Sequence, residues 1–210
     1  MSNFQSLLKE SKQQYEANAE KLVITDKHSG YYLSLRRDNF EDEKEEKRFI
    51  KNVERLVRSS LEYREWLAFI KDTLNLNYCV FTKETDAETD DIEIHHHPLT
   101  LYDIVMIVVD TYITNDKQFC TFDIASEVIN LHFQLKVGFV PLLGSLHKKF
   151  HNGFLDIPIE LVYGDYKYLL ENYFVRESLQ MKVSRYESFH LSNVELPQWQ
   201  KDNYIMTNKE

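Results

Sequence analysis

The spacing of apolar residues between Phe40 and Leu74 constrains this fold more than any other feature of the sequence. Phe49, Ile50, Val53, Leu56, Val57, Leu67, Ile70 and Leu74 recur mostly at steps of three and four, the period that gathers side chains on one side of an α-helix. A long helix with a single apolar stripe has to lie against something, so the rest of the chain must supply the surface that covers it. Its acidic start, "FEDEKEEKR", suits the positive end of a helix dipole and otherwise reads as a solvated face. Further on the pattern changes. Tyr78 to Thr82 ("YCVFT") and Ile92 to His96 ("IEIHH") are short strand candidates around the polar run "KETDAETDD", which predicts a hairpin with an acidic tip. Leu99 to Ile113, with Thr100 as N-cap, and Phe122 to Leu135, with Asp123 near its start, predict two helices. Gly138 to Leu142 returns as a strand, and Gly144 to His151 as a short helix stopped by Asn152 and Gly153.

The flanks are less sharply patterned. Phe4 to Leu22 is helix-like, and "LVITDKHSGYYLSL" can turn as a small hairpin at His28, Ser29 and Gly30. Beyond Pro158, the aromatic-rich "IELVYGDYKYLLENYFV" predicts further helix packed on the core, and the polar tail from Ser188 predicts a frayed end. The expectation is an α+β protein in three parts: an accessory layer over 1–75, a core over 76–175 with a helical insertion at 99–135, and a C-terminal extension over 176–210.

Composition excludes several classes. With 43% hydrophobic and 13% aromatic residues the chain of 210 can bury a core. Its longest apolar run, Ile104 to Val109, falls far short of the roughly 18 residues a membrane span needs. "MSNFQSLLKESKQQ" lacks the pattern of a secretory signal, and Cys79 and Cys120 make neither a disulfide framework nor a CxxC pair, so a reducing cytoplasm is expected. Cys79 in "YCVFT" reads as a buried strand residue. A formal charge of −9 argues against a general nucleic-acid coat. Between Glu127 and Asp156, however, no acidic residue occurs, while Lys136, Lys148 and Lys149 lie within that window. This local basic island reads either as a phosphate-binding surface, with Lys148 and Lys149 as its contacts, or as an apolar strand with no room for carboxylates.

The histidines carry the chemistry. His147 and His151 stand at i and i+4, so on a helix both rings project from one face and can close on one ion. Three more, His95, His96 and His97, end the strand candidate, and His132 lies on the second predicted helix. His28 and His190 sit in polar surroundings and receive no role.

A strand ending in adjacent histidines, a later strand, and a short helix bearing H-x-x-x-H resemble the ββα-metal core of the HNH, or His-Me finger, endonucleases. "VRSSLEYREWL", "EIHHHPLTLYDIV" and "VGFVPLLGSLHKKFHNG" further resemble uncharacterised phage-encoded proteins of HNH type. The resemblance implies a ββα-metal core embedded in a mostly helical protein, with one divalent cation (Mg, Mn, Ni or Zn) held by His95, His147 and His151. It implies His96 as the general base and DNA phosphodiester hydrolysis in a bacterial cytoplasm, with His97 beside the site; His132, on the helix "SEVINLHFQLK", reads either as a group turned toward the metal ligands to support them or as a satisfied buried histidine. Three consecutive histidines leave the alternative register, His96 as ligand and His97 as base, open. The sequence departs from the family at Leu143 and Leu146, where C-x-x-C would bind a structural zinc, so none is expected, and at Gly138, where an Asn would brace the loop. Two other readings stand beside this one. The chain can be a non-catalytic phage structural or host-interaction protein, or a metal-dependent hydrolase of a small phosphorylated substrate.

Overall fold

A computed structural model describes residues 40–85 and 90–193. The helix expected at 4–22, the hairpin around Gly30 and the tail beyond Asn193 lie outside these residues. Within them the apolar stripe forms two helices where the spacing predicts one: α1 (Glu43–Ser59) and α2 (Leu61–Ala68), the latter running into a π-helical turn at Phe69–Thr73. The break falls at Ser60, whose backbone is extended (φ −69°, ψ 154°) and whose hydroxyl accepts from Tyr63 N at 3.1 Å and donates to the Val57 carbonyl at 2.8 Å. The apolar stripe lapses at Arg58, Ser59 and Ser60, and a serine hydroxyl favours starting a new helix there. The acidic start of α1 is a helix N-terminus as read, with the Asp42 carboxylate accepting from the amides of Lys44 and Glu45.

The remaining elements are β1 (Ile92–His96), α3 (Leu101–Thr114), α4 (Thr121–Phe133), β2 (Phe139–Leu143) and α5 (Gly144–His151). A 3-10 turn at Ile159–Leu161, α6 (Lys167–Asn172) and α7 (Glu177–Glu187) follow. Thr100 caps α3 in a reciprocal box with Asp103, as its spacing predicts. The fold class is α+β, mostly helical, with a two-stranded antiparallel sheet.

That sheet is not the predicted hairpin. β1 pairs with β2, in a register that sets Ile92 opposite Leu143, Ile94 opposite Pro141 and His96 opposite Phe139. Tyr78 to Thr85 instead close a tight turn, with Cys79 N bonded to the Glu84 carbonyl at 2.7 Å, and Val80 N reaches the Pro141 carbonyl at 3.1 Å. Every residue of β2 is buried, so it offers β1 an apolar partner that a strand leading into a polar loop does not.

The helices supply the body that this small sheet needs. Phe49, Ile50, Val53 and Val57 of α1 are fully buried against α3 and α4, where Phe49 meets Phe119 edge-on at 5.8 Å. Trp66 of α2 closes the layer, edge-on to Phe139 of β2 at 5.6 Å. The C-terminal helix is clasped to this body by charge. Arg176 grips both carboxylate oxygens of Asp110 on α3, at 2.7 and 2.6 Å, and also pairs with Glu46 of α1, while Lys182 reaches Asp103 at 2.5 Å.

Candidate metal centre

Successive residues of a strand point to opposite faces of its sheet. β1 therefore sends Glu93 and His95 to one side and His96 to the other. α5 follows β2 directly and packs on both strands, on the side of Glu93 and His95. One helical turn on α5 separates His147 from His151, which brings both rings over His95. His147 Nε2 lies 2.8 Å from His95 Nδ1 and 2.9 Å from His151 Nε2, and the three ligand nitrogens all lie within 4.8 Å of one another. His95 is buried, His147 half-buried and His151 exposed, so the group opens to solvent on the α5 side.

The rings are held as well as gathered. Phe150 stands edge-on to His95, ring centres 4.6 Å apart, and 5.5 Å from His97. Burial, with the neighbouring His147, His97 and His151 adding to it, pushes the His95 imidazole down to about 3. His151 is lowered in the same direction by burial and by His147. Both are then neutral at pH 7, the form that donates a lone pair to a metal. A tetrahedral ion with bonds of 2.0–2.1 Å spreads its ligand nitrogens to about 3.3 Å, so the observed contacts need to open by about half an ångström. That is within the reach of small ring rotations. Three imidazoles with no carboxylate among them suit zinc, nickel or copper and suit magnesium poorly.

His96 is placed elsewhere. It is buried on the helical side, its Nε2 2.8 Å from His132 Nε2, its ring packed beside those of Tyr63 and Trp66. His132 Nδ1 donates to the Val128 carbonyl at 2.6 Å, so His132 supports His96 and not the metal-type group. Neither residue reaches the cluster, and the reason is the two-residue period of the strand: a neighbour of His95 must face away from it. The alternative register fails for the same reason, since His96 cannot join His147 and His151. His97 does share the side of His95, with ring centres 6.2 Å apart, and packs edge-on against Tyr186 at 4.4 Å. Burial, with Lys182 nearby, lowers its ring to about 4. Lys148 and Lys149 are exposed on α5.

Sequence reasoning passed over Glu93, whose carboxylate accepts from His147 Nδ1. The signal was available: it stands two residues before His95, on the same strand face. Gly144 and Asp90 belong with it, since the Asp90 carboxylate caps Ser145 N at 3.0 Å at the start of α5.

The family model for the Bacteriophage G278-like virion protein matches residues 1–209. No curated protein and no solved structure matches the chain. This finding overturns the HNH resemblance and the HNH-type endonuclease expectation that rested on it. The resemblance rested on three short segments, and a histidine-bearing strand beside an H-x-x-x-H helix is a local arrangement that unrelated proteins can share. The family match spans nearly the whole length, and it favours the non-catalytic phage reading over the nuclease. A virion protein is part of the phage particle; among the described residues no helix is long and apolar enough to cross a membrane. The chain belongs to the Bacteriophage G278-like virion protein family.

Proposed function

We propose that this protein is a structural component of the phage particle in which His95, His147 and His151 hold one divalent transition-metal ion, and that the ion fastens α5 to β1. The observation that carries the proposal is the convergence of two ring nitrogens on His147 Nε2, His95 Nδ1 from β1 at 2.8 Å and His151 Nε2 from α5 at 2.9 Å. His95 and His147 are 52 residues apart in the chain, with α3, α4 and β2 between them. An ion joining them closes a long loop, and because ligands scattered in the unfolded chain bind poorly, its binding energy becomes folding energy. Such a staple suits a particle component, whose work is to keep its shape.

Titration of the metal-free full chain by calorimetry tests the reading. One equivalent of Zn²⁺ or Ni²⁺ should bind, Mg²⁺ should not, and His147→Ala should abolish binding. A parent protein that takes up none of these ions, or a His147→Ala variant that binds as the parent does, sinks the proposal.

A further inference from the structure

The cluster contains a fourth group that is not a ligand, and it resolves which nitrogen of His147 faces the ion. A neutral imidazole carries one N–H and one lone pair, and the bond made by one nitrogen decides the role of the other. His147 Nδ1 meets Glu93 Oε2, and a carboxylate can only accept, so Nδ1 carries the proton. Nε2 is then a lone pair, and it is the atom that His95 Nδ1 and His151 Nε2 both approach. We infer that Glu93 is a positioning residue: it locks His147 in the Nδ1–H form, aims Nε2 at the metal, and raises the ring's strength as a donor. The inference rests on the metal reading above and adds to it the group that sets affinity.

Two features of the chain around Glu93 fit this role. It shares the face of β1 with His95, so the same strand geometry that supplies a ligand supplies the group orienting the next one. Gly144, the first residue of α5, leaves the space the carboxylate occupies. A Cβ there would stand 3.0 Å from Glu93 Oε1 and 3.6 Å from its Cδ, and also 3.0 Å from Asp90 Oδ1. The two acidic residues divide the work at this corner. Asp90 satisfies the helix amide of Ser145, which leaves Glu93 to the imidazole. The Glu93 side chain is 49% exposed, so its exchange for a neutral isostere does not threaten the core.

The test compares the parent with Glu93→Gln, Glu93→Ala and His147→Ala, all as full chains. Zn²⁺ affinity is measured by competition with a chromophoric chelator, and the tautomer of His147 by long-range ¹H–¹⁵N correlation in the metal-free protein. Glu93→Gln should bind Zn²⁺ about 10- to 100-fold more weakly. The parent should show His147 protonated on Nδ1; Glu93→Gln, whose amide oxygen is a weaker acceptor, should loosen that preference, and Glu93→Ala, which has no acceptor, should lose it. An Nε2–H tautomer in the metal-free parent, or undiminished affinity in Glu93→Gln while His147→Ala abolishes binding, overturns the role of Glu93 and leaves the metal site standing. Full Zn²⁺ binding by His147→Ala overturns both.

Discussion

Lowering the pH should destabilise this protein through His132, because its buried imidazole resists the proton that the unfolded chain accepts. His132 is buried on the helical side, bonded to His96 at 2.8 Å and to the Val128 carbonyl at 2.6 Å, and Trp66 stands edge-on to it at 4.7 Å. Burial lowers its imidazole from 6.5 to about 4, with Arg58 adding slightly and the Val128 bond opposing. The unfolded chain therefore takes up a proton that the folded protein refuses. Stability from this group is complete above pH 6.5 and is lost as the pH falls toward 4. At pH 5 the unfolded ring is almost fully protonated and the folded one mostly neutral, which costs on the order of 2 kcal/mol and grows by nearly one proton's worth per pH unit. Against a total of about 5–15 kcal/mol that is a large share. Urea unfolding with a chelator present, at half-unit steps from pH 7.5 to 4.5, measures it for the parent and for His132→Gln. The glutamine can still accept from His96 but cannot titrate. The parent curve should fall more steeply, by about one proton. Parallel curves would refute the argument, because the folded ring would then take up its proton as readily as the unfolded one.

Three further outcomes follow from the same geometry. Zn²⁺ at a hundredfold excess over its dissociation constant should add about 2.7 kcal/mol and raise the melting temperature by about 5–10 °C, an increase absent in His147→Ala under differential scanning calorimetry. His96→Ala, on the far face of the sheet, should lower stability by about 2–3 kcal/mol in urea yet still bind one equivalent of Zn²⁺; loss of the metal with a folded protein would contradict the two-faced strand. Arg176→Met should cost about 1–3 kcal/mol in denaturant titrations, the range tempered because Arg176 is 40% exposed, whereas its partner Asp110 is only 7% so.

How far the site was legible in the sequence depends on which interaction made it. His147 and His151 are set by helical spacing alone, so the sequence showed them as a pair. Their meeting with His95 needed β1 to pair with β2, a contact between segments separated by two whole helices. His96 is a different case: the two-residue period of the strand puts a neighbour of His95 on the other face, where His96 meets His132. The role of Glu93 follows from the same period, through the face it shares with His95.

The sequence by itself determined whatever the backbone settles over one or two turns. The Thr100 and Asp103 box that starts α3, the acid-rich start of α1 and the Gly153 that stops α5 with φ 73° are local hydrogen bonding and sterics, readable from neighbouring residues. Tertiary structure decided the rest. A short strand has too few bonds to choose its partner, and β1 took the fully buried β2 over its nearer neighbour because burial of apolar surface is not bound to sequence distance. The same burial put His96 among Tyr63, Trp66 and His132, and left His95 for α5 to cover.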